Sequence, residues 1–138
     1  MRTFYLMTHG NMANGIQSTI QMLLGNKKIL NALIAYVDES DIKKLSEPIF
    51  EDLEKGFEVV VFTDISHGSV NQYFVPYLNR ENLHIITGVN LPLILSIMLL
   101  NEDAKLDAEM INNEVEFARE QIIYMNTHTI HITDDDEI

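Results

Sequence analysis

The sequence contains no cysteine. That excludes a disulfide framework, a thiolate metal site and a cysteine nucleophile, and it is compatible with a cytosolic protein. Basic residues are scarce, with nine Lys and Arg against 21 Asp and Glu, for a net charge of −12. Nucleic acid is a poor partner at that balance, because neutralising phosphates takes clustered Lys and Arg. A basic protein would instead meet the chain faster. Long apolar runs are missing too. The longest strongly apolar stretch, residues 91–100, contains Pro92 and Ser96 and is about half the length needed to cross a bilayer. Met1-Arg2-Thr3 leads straight into a strand pattern, without the apolar segment of a signal peptide.

What is present is 138 residues, 46% of them apolar, enough for one domain with a substantial core. The organisation predicts a single unit over residues 1–133. The run Asp134-Asp135-Asp136-Glu137 reads as a solvated acidic tail at 134–138. Residues 3–7 have the length and composition of a strand. Met12, Ile16, Ile20, Leu23 and Leu24 then recur at helical spacing up to Gly25, and Met12 and Met22 read as ordinary core residues. Residues 33–37 predict a second strand ending at Asp38. Ile42, Leu45, Ile49 and Leu53 predict a second helix, either kinked at Pro48 or starting near Ser46.

The segment Val59-Val60-Val61-Phe62 is the most strand-like of the chain and suits a strand buried on both faces of a parallel sheet. A helical stretch follows with Val70, Tyr73, Phe74 and Tyr77, then a fourth strand at 83–87 in which His84 reads as packed. Residues 91–100 predict a helix with Pro92 in its first turn. Asp107 can cap a long helix whose inner face carries Met110, Ile111, Val115, Ala118, Ile122 and Met125. Alternation at 127–133 predicts a last, half-exposed strand, on which His128 and His131 point to opposite faces and do not make a metal pair. The order βαβαβαβααβ predicts an α/β fold: an open, mainly parallel sheet with helices on both faces.

In such a sheet the turns after parallel strands share one edge, where ligands bind. Here those turns supply Thr8-His9-Gly10, Asp38, residues 64–69 and Gly88-Val89-Asn90. A carboxylate facing His9 would fix its tautomer and make the other ring nitrogen a better nucleophile. Gly10, Gly68 and Ser69 suit the approach of an anion such as phosphate, by close backbone approach and by an added hydroxyl donor. The constellation could hold a phosphoryl group on Nε2 or Nδ1 of His9. Asp38 reads more simply as a helix cap. His9, Asp64 and His67 could also chelate a metal, although three ligands from two loops are a weak pattern.

At these residues the chain resembles the enzyme IIA component of the mannose-family sugar phosphotransferase system. The stretch Thr8-His9-Gly10-Asn11-Met12-Ala13-Asn14-Gly15, with Ser18-Thr19 and Met22-Leu23-Leu24-Gly25 beyond it, is similar to the family's strand–His–helix signature. Phe62-Thr63-Asp64 followed by Gly68-Ser69 resembles its second active-site loop, and Ile86-Thr87-Gly88-Val89-Asn90-Leu91-Pro92 its third.

The resemblance implies a cytoplasmic phosphocarrier, peripherally associated with its transporter, that needs no cofactor and no metal. His9 would accept a phosphoryl group from the carrier protein HPr and pass it to the IIB component, which serves the IIC and IID membrane subunits. Asp64 would orient His9, and Ser69 would stand beside the phosphate. Thr8, Gly10, Gly68, His67 and Asn90 complete the supporting set. The resemblance also implies a homodimer whose last strand is exchanged between subunits. The sequence departs from the family at His67-Gly68-Ser69-Val70, where Gly-Gly-Ser-Pro is usual. Other readings are the phosphotransfer subunit of a dihydroxyacetone kinase system, against which the Gly88–Pro92 run argues, and a non-transferring regulatory domain of the same fold.

Overall fold

The computed structural model describes residues 1–35, 39–65 and 68–129. Among the described residues four strands, β1 (Arg2–His9), β2 (Leu30–Ala35), β3 (Glu58–Thr63) and β4 (Leu83–Thr87), form one sheet in the order β2-β1-β3-β4. Every pairing is parallel, with Phe4 opposite Leu30 and Val60, and Val60 opposite His84. The helices are α1 (Met12–Leu24), α2 (Glu39–Leu45), α3 (Glu47–Glu54), α4 (Ser69–Phe74), α5 (Leu91–Met98) and α6 (Ala108–Glu120). Single 3-10 turns follow α4 at Val75–Tyr77 and close the described chain at Met125–Thr127.

Strand alternation sorts the core into two halves. Phe4, Leu6, Val60, Phe62 and Ile86 point to one face and pack with Ala13 and Ile20 of α1, with α5, and with Ala118 of α6. Tyr5, Met7, Val59, Val61 and Leu83 point to the other, against Ile42 of α2, Ile49 and Leu53 of α3, and Val70 and Phe74 of α4. Because both faces are covered, β1 and β3 are apolar along nearly their whole length rather than alternating. The chain leaves β1 toward β2 and then returns across it to β3, so the helices change faces between β1 and β3. That crevice is the topological switch point of the sheet.

The structure departs from the sequence expectations at six places. Strand β1 runs to His9, which pairs with Ala35 as the last residue of the strand and not as a turn residue. Strand β2 starts at Leu30, three residues early, since Asn31 is tolerated in it by donating its Nδ2–H to Phe4 O at 3.0 Å. The second helix is two helices, broken at Ser46 with Pro48 in the first turn of α3, as a proline cannot continue a helix from behind. Met12 and Met22 are 46% and 82% exposed and not core residues. Ala13 and Ile20 take the buried positions of α1.

Finally, α6 ends at Glu120, leaving Ile122 and Met125 exposed. Ala118 is the last residue of that helix to be buried, and a helix without a face to bury has little to hold it. A strand beginning at Thr127 is contradicted by the 3-10 turn there. The rest of that strand, His131 and the acidic tail lie outside the described residues, as do Asp38 and His67.

Candidate functional site

The site sits at the carboxyl edge of the sheet, over the crevice between β1 and β3. On β1, Thr8 points toward α1 and is fully buried. Its Oγ1 accepts the backbone N–H of Ala13 at 2.9 Å, capping α1 in place of Asn11, whose side chain makes no capping bond. Gly10 takes the tight turn between strand and helix with φ +60°, a conformation a Cβ disfavours. His9, one residue along from Thr8, therefore emerges on the opposite face of the sheet, the face that α4 covers.

Asp64 follows β3 directly and meets it. Its Oδ2 accepts both the backbone N–H of His9 at 2.9 Å and the ring Nδ1 at 2.7 Å. Its Oδ1 accepts the N–H of Ile65 at 2.9 Å. The carboxylate side chain is 9% exposed, while the imidazole is 40% exposed. Burial pushes the Asp64 carboxyl up, but the hydrogen bonds from His9 and Ile65, with the charge of His9, outweigh it and hold the group below the usual carboxylate range. An ionised Asp64 can only accept, so its bond to the ring puts a proton on Nδ1, and in the corresponding tautomer the lone pair is on Nε2. That lone pair faces Ser69, whose Oγ lies 3.0 Å from Nε2.

Gly68 fixes the spacing. A Cβ there would lie 3.0 Å from Cε1 of His9 and 2.9 Å from Cγ1 of Ile65, closer than side chains tolerate. Any larger residue there would force the Ile65 side chain or the His9 ring to shift. The extended backbone of Gly68 also turns the chain into α4, placing Ser69 in the first turn.

The structure brings His9, Asp64, Gly68 and Ser69 together, with Gly10 in the adjoining turn. It gives Thr8 and Asn90 other work. Asn90 Oδ1 accepts from the N–H of Leu93 at 3.0 Å and its Nδ2 donates to Ala118 O at 2.9 Å, capping α5 and tying it to α6. Sequence reasoning did not anticipate the backbone N–H groups of His9 and Ile65 as partners of Asp64; main-chain donors leave no residue-type signal. Among the described residues no group of three or more His, Asp or Glu side chains could hold a metal ion. No helix among them is long and apolar enough to cross a membrane.

A family model described as the fructose IIA component of the phosphotransferase system matches residues 3–114. The fold is similar to that of a Klebsiella pneumoniae protein described as a candidate phosphoenolpyruvate-dependent sugar phosphotransferase system permease. The two are 33% identical over 91% of this chain and 92% of that one, with a TM-score of 0.78. It is also similar to phosphotransferase system component EIIA from Streptococcus agalactiae, at 18% identity over 93% of this chain and 100% of that one, TM-score 0.74. A third similar structure is the IIA protein associated with the fucose utilization operon of Streptococcus pneumoniae, at 24% identity over 91% and 93%, TM-score 0.73. No curated protein sequence matches significantly. With most of its length matched, and with this sheet and this histidine, the chain belongs to the fructose/mannose family of IIA components of the sugar phosphotransferase system.

Proposed function

We propose that His9 is the phosphoryl acceptor and that the group is carried on Nε2. The observation that carries this reading is the 2.7 Å bond from Nδ1 to Asp64, which leaves Nε2 as the nucleophilic nitrogen on an exposed ring. In the forward step, Nε2 attacks the phosphorus of the donor's phosphohistidine. The N–P bond on the donor breaks as the new one forms, and Nδ1 keeps its proton on Asp64. The positive charge that gathers on the phosphorylated imidazole is met by the Asp64 carboxylate. Transfer of this kind asks for position and charge stabilisation more than for covalent machinery.

Ser69 acts as a donor to the phosphoryl oxygens and not as a rival acceptor. Displacement at phosphorus needs the incoming oxygen opposite the bond that breaks. A hydroxyl 3.0 Å from Nε2 itself stands on the wrong side.

HPr is the donor in this reading and the IIB component the acceptor, with IIC and IID behind it and residues 1–133 acting as one cytoplasmic unit of a homodimer. Incubation with phosphorylated HPr should label the wild type and leave His9→Ala unlabelled. Equal labelling of the two would remove His9 from the mechanism.

A further inference from the structure

Asp64, His9 and Ser69 form a chain of hydrogen bonds in the order carboxylate, imidazole, hydroxyl. The links are 2.7 Å from Asp64 Oδ2 to Nδ1 and 3.0 Å from Nε2 to Ser69 Oγ. This is the arrangement that activates a serine for covalent catalysis. The carboxylate holds the tautomer, Nε2 takes the hydroxyl proton, and the oxygen attacks. All three conditions are met together. The carboxylate is buried and the ring half open, while Ser69 is exposed. The Gly68 backbone also comes close to the ring, where an added Cβ would lie 3.0 Å from Cε1. Phosphoryl transfer uses the Asp64–His9 link and a hydroxyl that only donates, and does not call on Ser69 Oγ as a nucleophile.

We propose that Ser69 is an activated nucleophile with His9 as its general base, and that it reacts covalently with small activated esters. Oγ forms the bond to the electrophilic carbon or phosphorus, its proton passes to Nε2, and the leaving group departs with its electron pair. With a fluorophosphonate the O–P bond forms, the P–F bond breaks, and fluoride and a proton are released. The substrate class is bounded by what the three residues provide. They furnish nucleophile and base, whereas amide cleavage also demands donors aimed at the oxyanion. The class is therefore esters and phosphonates with good leaving groups, not peptides. The reactivity depends on the lone pair of Nε2, so the same nitrogen cannot serve as base while it carries a phosphoryl group.

The test treats the purified, unphosphorylated protein with a fluorophosphonate probe and maps the adduct by peptide mass spectrometry. It needs no phosphoryl donor, so its failure and a failure of the phosphocarrier reading are separate results. A stoichiometric adduct on Ser69 is expected, absent from Ser69→Ala and formed at least ~100-fold more slowly in His9→Gln, the low end of what a positioned general base contributes. Asp64→Asn should also slow it, and melting curves on the same samples check that each variant is folded. No adduct, an adduct on His9 itself, or Ser69 labelling at the wild-type rate in folded His9→Gln would each overturn the proposal.

Discussion

At the scale of single residues, the account turns on how Asp64 treats His9. An ionised carboxylate with three hydrogen bonds orients the ring and, in the proposed reaction, faces the charge that develops on it. Asp64→Asn keeps the shape but removes the charge and can present an N–H where an acceptor is needed. Phosphoryl transfer measured in a stopped-flow assay with phosphorylated HPr should fall on the order of 100-fold, as a lost charge-stabilising group of this kind does; an unchanged rate would exclude Asp64 from the chemistry. The same lowering of the Asp64 carboxyl has a sign in stability. It contributes above the ordinary carboxylate pKa and is lost as pH falls through the lowered value. Denaturation of wild type and Asp64→Asn should therefore differ most at neutral pH and converge in acid.

Gly68→Ala must push His9 or Ile65 aside, and a misplaced nucleophile slows transfer by about ten- to a hundred-fold. The juxtaposition of His9, Asp64, Gly68 and Ser69 was legible in the sequence because each ends or follows a strand at one sheet edge. The capping bonds of Thr8 and Asn90 were not legible there. A hydroxyl or amide beside a helix start looks the same whether it caps the helix or waits for a phosphate, and only the acceptor or donor it meets decides.

At the scale of elements, the hinge of the site is the junction of β1 and α1. Thr8 is a strand residue that caps a helix, so the orientation of His9 and the start of α1 are set by one side chain. Thr8→Val keeps the buried volume and removes the acceptor. It should destabilise the protein by about 1–2 kcal/mol, the range of a lost helix cap, read as a lower midpoint in urea. A midpoint equal to wild type would mean that α1 does not depend on this bond. Strongly periodic or β-branched stretches, such as β3 and α5, declared themselves in the sequence. The breaks did so only in part. Pro48 signalled the interruption near Ser46 that separates α2 from α3, whereas the end of α6 at Glu120 is encoded by no local pattern. The exposure of Met12 and Met22 has the same origin, since an apolar side chain at helical spacing is buried only if another element reaches it.

At the scale of the whole molecule, the two edges of the sheet divide the work. The carboxyl edge carries the proposed phosphoryl acceptor, His9. At the amino edge, Arg2 is buried and bonds Glu58 at 3.1 Å and the carbonyls of Leu100, Asn101 and Ala104, while Glu58 accepts the N–H of Leu106. That network ties the connection between α5 and α6 to the first residues of β1 and β3. Arg2→Met strands Glu58 and those carbonyls and should cost about 3–5 kcal/mol, as breaking a buried pair does. Folded Arg2→Met should nevertheless transfer phosphate at the wild-type rate, because His9 stands at the far end of the same strand. A proportionate loss of transfer would show that the edges are coupled.

The pattern of alternating strands and helices made the parallel sheet legible. The order β2-β1-β3-β4 is a tertiary choice that puts β1 beside β3 and so joins His9 to Asp64. The most direct measurement is nuclear magnetic resonance of the imidazole nitrogens after incubation with phosphorylated HPr, with the phosphate checked for acid lability. The account predicts one acid-labile phosphoryl group on Nε2 of His9, with Nδ1 still protonated toward Asp64. Phosphate on Nδ1, on another residue, or on none would contradict it.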